Sequence, residues 1–306
     1  MKHTMTKAAR FAWRAARNLL CVTPWGKRRL FPAQALANRF GRGDAEYALN
    51  VFLHHYRQLS AAGFHAVDKI LEVGPGRNAG TALMMWALNR SRGMDVTVIL
   101  WDVFPNMAVS AETLREAARA LLDSPRFRQV LETFPDDRLE QTLGAVTRGE
   151  LSPDIRYRVQ PLPELLTSGE VNGTTLVYSQ AVIEHIWDIA DFWRTIIDLT
   201  GPDGWHSHRI DLADHGRRET NYIEMLEWSP LAYWLTMRFI PGAINRWRAS
   251  MHLGFVAQQG LKILNAHQET REALPIPRSR IHRAFRSLGD QDLTTTALDL
   301  VGVKTA

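Results

Sequence analysis

Ile70-Leu71-Glu72-Val73-Gly74-Pro75-Gly76-Arg77-Asn78-Ala79-Gly80-Thr81 decides the fold. Ile70 to Val73 is an apolar run carrying one acid, Glu72, and reads as a buried strand. Gly74 and Gly76 allow a tight turn and close backbone approach. Beyond Gly80, the residues Ala82, Leu83, Met85, Trp86 and Leu88 recur at helical spacing. Strand, glycine turn and helix together make a site for the polar part of a nucleotide-like ligand, because N–H groups at a helix start lack intrahelical partners. The same turn also occurs without a ligand, so other parts of the chain must decide.

The dinucleotide fingerprint is G-x-G-x-x-G, whereas here the third glycine comes one place later, at Gly80. A second strand, Val96 to Trp101, ends at Asp102. An acid at that strand end offers two oxygens to the vicinal hydroxyls of a ribose. A third strand is predicted over Ile155–Val159, followed by Gln160-Pro161-Leu162-Pro163-Glu164. The fourth, Thr174–Tyr178, runs into Ser179-Gln180-Ala181-Val182-Ile183-Glu184-His185. A short fifth strand, His206–Leu212, leads to Asp214 and His215, and a hairpin of strands six and seven closes the chain near Val303.

Glu72-x-Gly74-x-Gly76 and the "alanine, aliphatic, Glu-His" turn at Ala181–His185 resemble class I S-adenosylmethionine-dependent methyltransferases. The resemblance covers roughly residues 45–215 and 255–303. It implies a Rossmann-like, seven-stranded, mostly parallel sheet with an antiparallel last strand. It implies S-adenosyl-L-methionine as cofactor, bound by Glu72, Gly74, Gly76, Asn78, Gly80, Asp102, Gln160, Ser179 and Gln180. In that family the acid holds the amino group of the methionine part. An acid after the third strand often holds the adenine amino group; Gln160 stands in its place here. A helix over residues 45–61, N-capped by Asp44, would cover the ligand.

Four regions are expected: a basic arm (1–43), a cofactor domain (44–216), an inserted helical cap (217–254) and the sheet's C-terminal part (255–306). The 306 residues are 45% hydrophobic, enough for a substantial core. The single cysteine, Cys21, rules out an internal disulfide and a cysteine-based zinc cluster, so a reducing cytoplasm is expected. Net charge is +5, but residues 1–43 hold ten basic residues, from Lys2 to Arg39 and Arg42, and no acid. The remaining 27 basic and 32 acidic residues leave the body at −5. Residues 5–20 predict a basic amphipathic helix. It fits an anionic membrane surface, phosphate contact with nucleic acid, or a solvated arm, and its aromatic residues favour the membrane over nucleic acid.

The acceptor side rests on fewer signals. A hydroxyl acceptor needs a base. His215 with Asp214 as orienter is the first choice and His208 the second. His185 is assigned a positioning role. Three histidines and two acids between His206 and His215 also raise metal binding, but no metal site is assigned. In the cap, Arg246, Arg248 and His252 are candidate cations for an acidic acceptor. The stretch His206–Leu212 and the segment Asn245–His252 look like bacterial methyltransferases acting on cell-surface polysaccharides. This implies a glycan acceptor, lipid-linked and acidic, met by a peripheral protein at the inner membrane face. A small-molecule or RNA methyltransferase and a non-catalytic cofactor-binding module are the alternatives. After strand four, Ser179-Gln180-Ala181-Val182 replaces the Asn/Asp-Pro-Pro-Tyr/Phe motif of base-amine methylation.

Overall fold

A computed structural model describes residues 7–31, 44–133 and 137–305. Its strands are β1 (Lys69–Val73), β2 (Thr97–Asp102), β3 (Asp154–Val159), β4 (Thr174–Gln180), β5 (Thr200–Asp211), β6 (Leu261–Thr270) and β7 (Thr295–Lys304). They form one sheet in the order β3-β2-β1-β4-β5-β7-β6. Only β7 runs antiparallel to its neighbours. The fold is Rossmann-like, as expected. β1 and β4 are covered on both faces, which is why Ile70–Val73 is apolar but for Glu72 and the middle of β4 is Leu176-Val177-Tyr178. The chain order reverses between β1 and β4, and their carboxyl ends border the crevice where open parallel sheets take ligands.

Helices fill both faces. α3 (Ala45–Ala61), α4 (Gly80–Ser91), α5 (Ala111–Asp123), α6 (Pro125–Thr133) and α7 (Asp137–Arg148) bury Phe52, Met84, Leu114 and Leu143 against Ile70, Val98 and Leu176. α8 (Leu162–Thr167), α9 (Ile189–Leu199) and α11 (Ala249–Gln258) bury Trp193, Ile196 and Val256 against Leu71, Val177 and Leu300. Asp44 N-caps α3 from an extended backbone, its Oδ1 accepting from Tyr47 N at 2.6 Å.

Beyond β6 the chain forms a pair of 3₁₀ turns, Arg278–Arg280 and Arg283–Phe285. Arg286 donates to the carbonyls of Ile281 and Ser279 at 2.7 Å, and these side-chain bonds replace a helical ladder. α11 begins at Ala249, so it crosses the predicted cap boundary at residue 254, and it packs on the sheet.

The cap has a core of its own, with Tyr222, Ile223, Leu226, Trp228 and Tyr233 closing on Ile281 and Leu293. The basic arm is docked on it. α1 (Lys7–Leu20) lies against α10 (Pro230–Met237) and leads to α2 (Pro24–Leu30). Asn18 donates to the carbonyls of Trp234 and Leu235, and its own carbonyl accepts from Phe239 N at 2.7 Å. Phe11 stacks on Trp228, and Arg14 lies over the same ring and pairs with buried Glu224. Lys2, Arg39 and Arg42 lie outside the described residues.

Candidate functional site

The glycine turn sits at the carboxyl end of β1. Gly74 and Gly76 have φ of +67° and +72°, a region that favours glycine. A Cβ on Gly74 would stand 2.5 Å from Val182 Cγ2. The two sequence signals therefore touch: the glycine turn packs on the turn that follows β4. That second turn is strained, with non-glycine Ala181 at φ +54° and its N–H donating to Arg209 O at 2.9 Å. Gly80 is required by packing instead, since a Cβ there would lie 2.7 Å from Ala48 Cβ. Asn78 is also committed internally. Its Oδ1 accepts from Gly80 N at 2.7 Å, and its Nδ2 donates to Asp44 O at 3.2 Å.

Glu72, Tyr178 and Gln180 share the sheet face beneath α3 through strand alternation and register. The Tyr178 hydroxyl donates to Glu72 Oε2 at 2.7 Å. Burial pushes the Glu72 carboxyl up to about 7, against the smaller opposing effect of that hydrogen bond. Gln180 Oε1 and His55 Nε2 are both buried, and the two side chains neighbour each other without a hydrogen bond of ordinary geometry. His55 is held by Ser207 Oγ at 2.8 Å, and burial forces its imidazolium down to about 3, so it is neutral. Its role was missed in the sequence, where it is one of two adjacent histidines on an amphipathic helix.

Asp102 ends β2 with both oxygens oriented. Oδ1 accepts from Phe104 N at 3.0 Å and Oδ2 from Asn106 Nδ2 at 2.8 Å. Burial raises its carboxyl above the ordinary value despite these bonds. Val103 and Phe104 beside it are more than half exposed, an apolar shelf next to the acid. Gln160 comes to the neighbouring strand end, where its N–H donates to Asp102 O at 3.2 Å. Ser179 faces the other way. It is fully buried, and its Oγ bridges to His208 Nδ1 at 2.8 Å, so it belongs to the core beneath the site.

On the acceptor side the structure redistributes the expected roles. His208 is buried, bonded at Nδ1 to Ser179 and at Nε2 to His206 Nδ1 at 3.2 Å, and packed edge-on to Trp193. Burial holds it far below the usual imidazole range, so it is a neutral core bridge with no path to an acceptor. His215 does reach the carboxyl ends of the strands. The carboxylate beside it is Asp211, with Oδ2 3.2 Å from His215 Nε2. Asp214, the expected orienter, turns its Oδ1 to Gly216 N at 2.9 Å.

Three of the four expected acceptor-binding residues are elsewhere. Arg246 is clamped between the rings of Tyr233 and Phe285, 4.6 and 4.7 Å away, and donates to Trp228 O. Arg248 is fully buried and donates to the carbonyls of Leu212, Asp292 and Thr295. His252 is buried and accepts from Trp193 Nε1 at 3.1 Å. Both arginines satisfy loop carbonyls, and Arg248 ties the cap to the ends of β5 and β7.

His185, the fourth, lies at the mouth. Its ring meets that of His215 edge to face at 5.2 Å, and its Nδ1 is 3.3 Å from Ala243 O. Next to both is Glu184, which sequence reading passed over in favour of its neighbour. It is 2% exposed, and apart from its own backbone N–H no group among the described residues donates to either carboxyl oxygen. Burial pushes its carboxyl up to about 8.

No family model and no curated protein matches the chain. Structural neighbours include S-adenosylmethionine-dependent methyltransferases. One is a provisionally assigned sarcosine dimethylglycine methyltransferase from Galdieria sulphuraria, with TM-score 0.44 and 12% identity, covering 85% of this chain and 87% of that one. Another, from Mesorhizobium loti, has TM-score 0.38 and 14% identity over 82% of this chain and 97% of that one. Phosphoethanolamine N-methyltransferase 2 from Haemonchus contortus, solved in complex with S-adenosyl-L-methionine, has TM-score 0.42 and 15% identity over 84% of this chain and 53% of that one. Likeness this distant assigns no activity. Among the described residues, no helix is long and apolar enough to cross a membrane.

Proposed function

We propose that the chain binds S-adenosyl-L-methionine and transfers its methyl group to an acceptor hydroxyl, with a sugar of a bacterial surface glycan as the acceptor class. The observation that carries the cofactor reading is the convergence at the crevice of a left-handed glycine turn, the buried Gln180 Oε1 beside neutral His55, and Asp102. Gly74 gives a ligand close backbone approach. Glu72 and Gln180 offer acceptor oxygens to the ammonium of the methionine part. Asp102 offers two oxygens to the ribose diol, and Val103 with Phe104 offers apolar contact to the adenine. Bound there, the cofactor supplies an electrophilic methyl on its sulfonium.

The chain's part is to align the acceptor in line with that methyl and to manage one proton. His215, paired at Nε2 with Asp211, accepts the hydroxyl proton as the oxygen takes the methyl. S-adenosylhomocysteine and a methyl ether are the products. Incubation with methyl-labelled S-adenosylmethionine and panels of saccharides, small amines and RNA tests this. Label in a base-stable ether of a saccharide is expected, and its loss in His215→Ala. Label confined to amines or RNA would overturn the acceptor class.

A specific observation supports a membrane-side acceptor. Trp13 and Trp25 are 56% and 69% exposed, Leu19, Leu20 and Val22 lie in the same arm, and Lys27, Arg28 and Arg29 are exposed beside them. Apolar residues rimmed by cations suit an anionic bilayer surface. Sedimentation with vesicles containing anionic lipid should be reduced by Trp13→Ser with Trp25→Ser. Equal sedimentation would remove this part of the reading.

A further inference from the structure

Glu184 is the residue that the acid–base reading leaves unexplained. Among the described residues no group on another residue donates to its two buried oxygens, and a carboxylate so placed is costly unless something binds it. Glu184 sits on the 3₁₀ turn Ile183–His185, after β4, and His215 follows β5. One ligand atom from each of Glu184, His185 and His215 lies within 4.8 Å of the other two. That spacing suits three groups around a single ion with bonds near 2 Å.

The histidines are already oriented as ligands. His185 Nδ1 lies 3.3 Å from the Ala243 carbonyl, which fixes the tautomer and turns Nε2 toward Glu184 Oε1, 4.0 Å away. His215 presents Nε2 to Asp211 at 3.2 Å, which assigns the ligating role to Nδ1. A carbonyl or a carboxylate on the far nitrogen is the usual support for a metal-bound imidazole. Asp211 is itself steadied by Arg218 and by Ala213 N. The turn is also rigidly held, because Asn245 donates to the carbonyls of Ile183 and Ile186 at 2.9 Å.

We infer that Glu184, His185 and His215 form a site for one divalent first-row transition-metal ion. One carboxylate and two imidazoles favour Mn²⁺, Co²⁺ or Zn²⁺ over Mg²⁺ or Ca²⁺, which prefer oxygen ligands throughout. Three protein ligands on one side leave positions open to an acceptor oxygen. Binding itself is independent of the methyl-transfer reading, while the ion's role rests on it. With the ion bound, His215 would serve as ligand in place of its role as base in the metal-free route; the ion would make the acceptor hydroxyl acidic, and the proton would leave to water as the oxygen takes the methyl.

Cobalt(II) serves as probe. The full chain, stripped with a chelator, is titrated by calorimetry and by visible absorption, and S-adenosylmethionine is titrated separately. One equivalent of Co²⁺ with ligand-field bands is expected. In Glu184→Gln and in His215→Ala its affinity should fall at least tenfold while circular dichroism stays native. His215 is on a surface turn, so the second variant keeps the test valid if the first fails to fold. Absence of stoichiometric binding, or equal affinity in wild type and both variants, would overturn the site. Co²⁺ binding without S-adenosylmethionine binding would retain the site and overturn the methyl-transfer reading.

Discussion

The crevice has two halves built in different ways. The cofactor half is made largely of backbone: the left-handed glycines after β1 and the strand ends that hold Glu72 and Asp102. The acceptor half is made of side chains on turns: Glu184, His185, His215 and Asp211. In the first half, geometry follows from the sheet order and cannot be altered without moving strands. In the second, single side chains can change the chemistry while the fold stays. Histidines make the contrast sharpest. His206, His208 and His252 are sealed in the core and held neutral, whereas His185 and His215 stand at the mouth beside carboxylates.

The largest effect should come from adding atoms to the backbone half. Gly74→Val puts a branched side chain at positive φ and into Val182. Strain and overpacking together cost roughly 2–6 kcal/mol, and calorimetry should find S-adenosylmethionine binding lost. Retained binding would mean that the turn does not shape the pocket. His215→Ala, in the other half, should lower turnover about 10²- to 10³-fold with cofactor affinity within about twofold. A matching loss of cofactor affinity would erase the distinction between the halves.

Glu72→Gln gives a smaller, pH-dependent change. Burial raises the Glu72 carboxyl from 4.5 to about 7. Its favourable contribution to folding is therefore complete below pH 4.5 and is lost as the pH rises through about 7. The wild type should lose about 3 kcal/mol over that window from this group alone, and Glu72→Gln should not. The Tyr178 hydroxyl still has a carbonyl oxygen to donate to in the variant. Urea melts at pH 5 and pH 8 would show the difference, and an equal change in unfolding free energy in both proteins would place Glu72 in water.

Most of the backbone half was legible because its signals are local. Glycines, strand-end acids and capping residues act within a few positions of themselves, as Asp44 and Tyr47 do. The side-chain half was legible only in part. Arg248 looked like a ligand for an acidic acceptor, but the carbonyls it satisfies are 36 to 47 positions away. Arg246 is sandwiched by rings from two separate segments. Strand alternation correctly placed His206 and His208 on one face, yet not which helix would seal that face. Asp211 became the partner of His215 because the chain turns after β5, a bend that the regular strand pattern does not contain.

One measurement tests the central claim most directly: calorimetric titration of the full chain with S-adenosylmethionine and, separately, with NADH. The account predicts one equivalent of S-adenosylmethionine bound and no heat from NADH. It also predicts affinity rising from pH 6 to pH 8, as Glu72 gives up its proton to face the cofactor's ammonium. NADH binding without S-adenosylmethionine binding would contradict it.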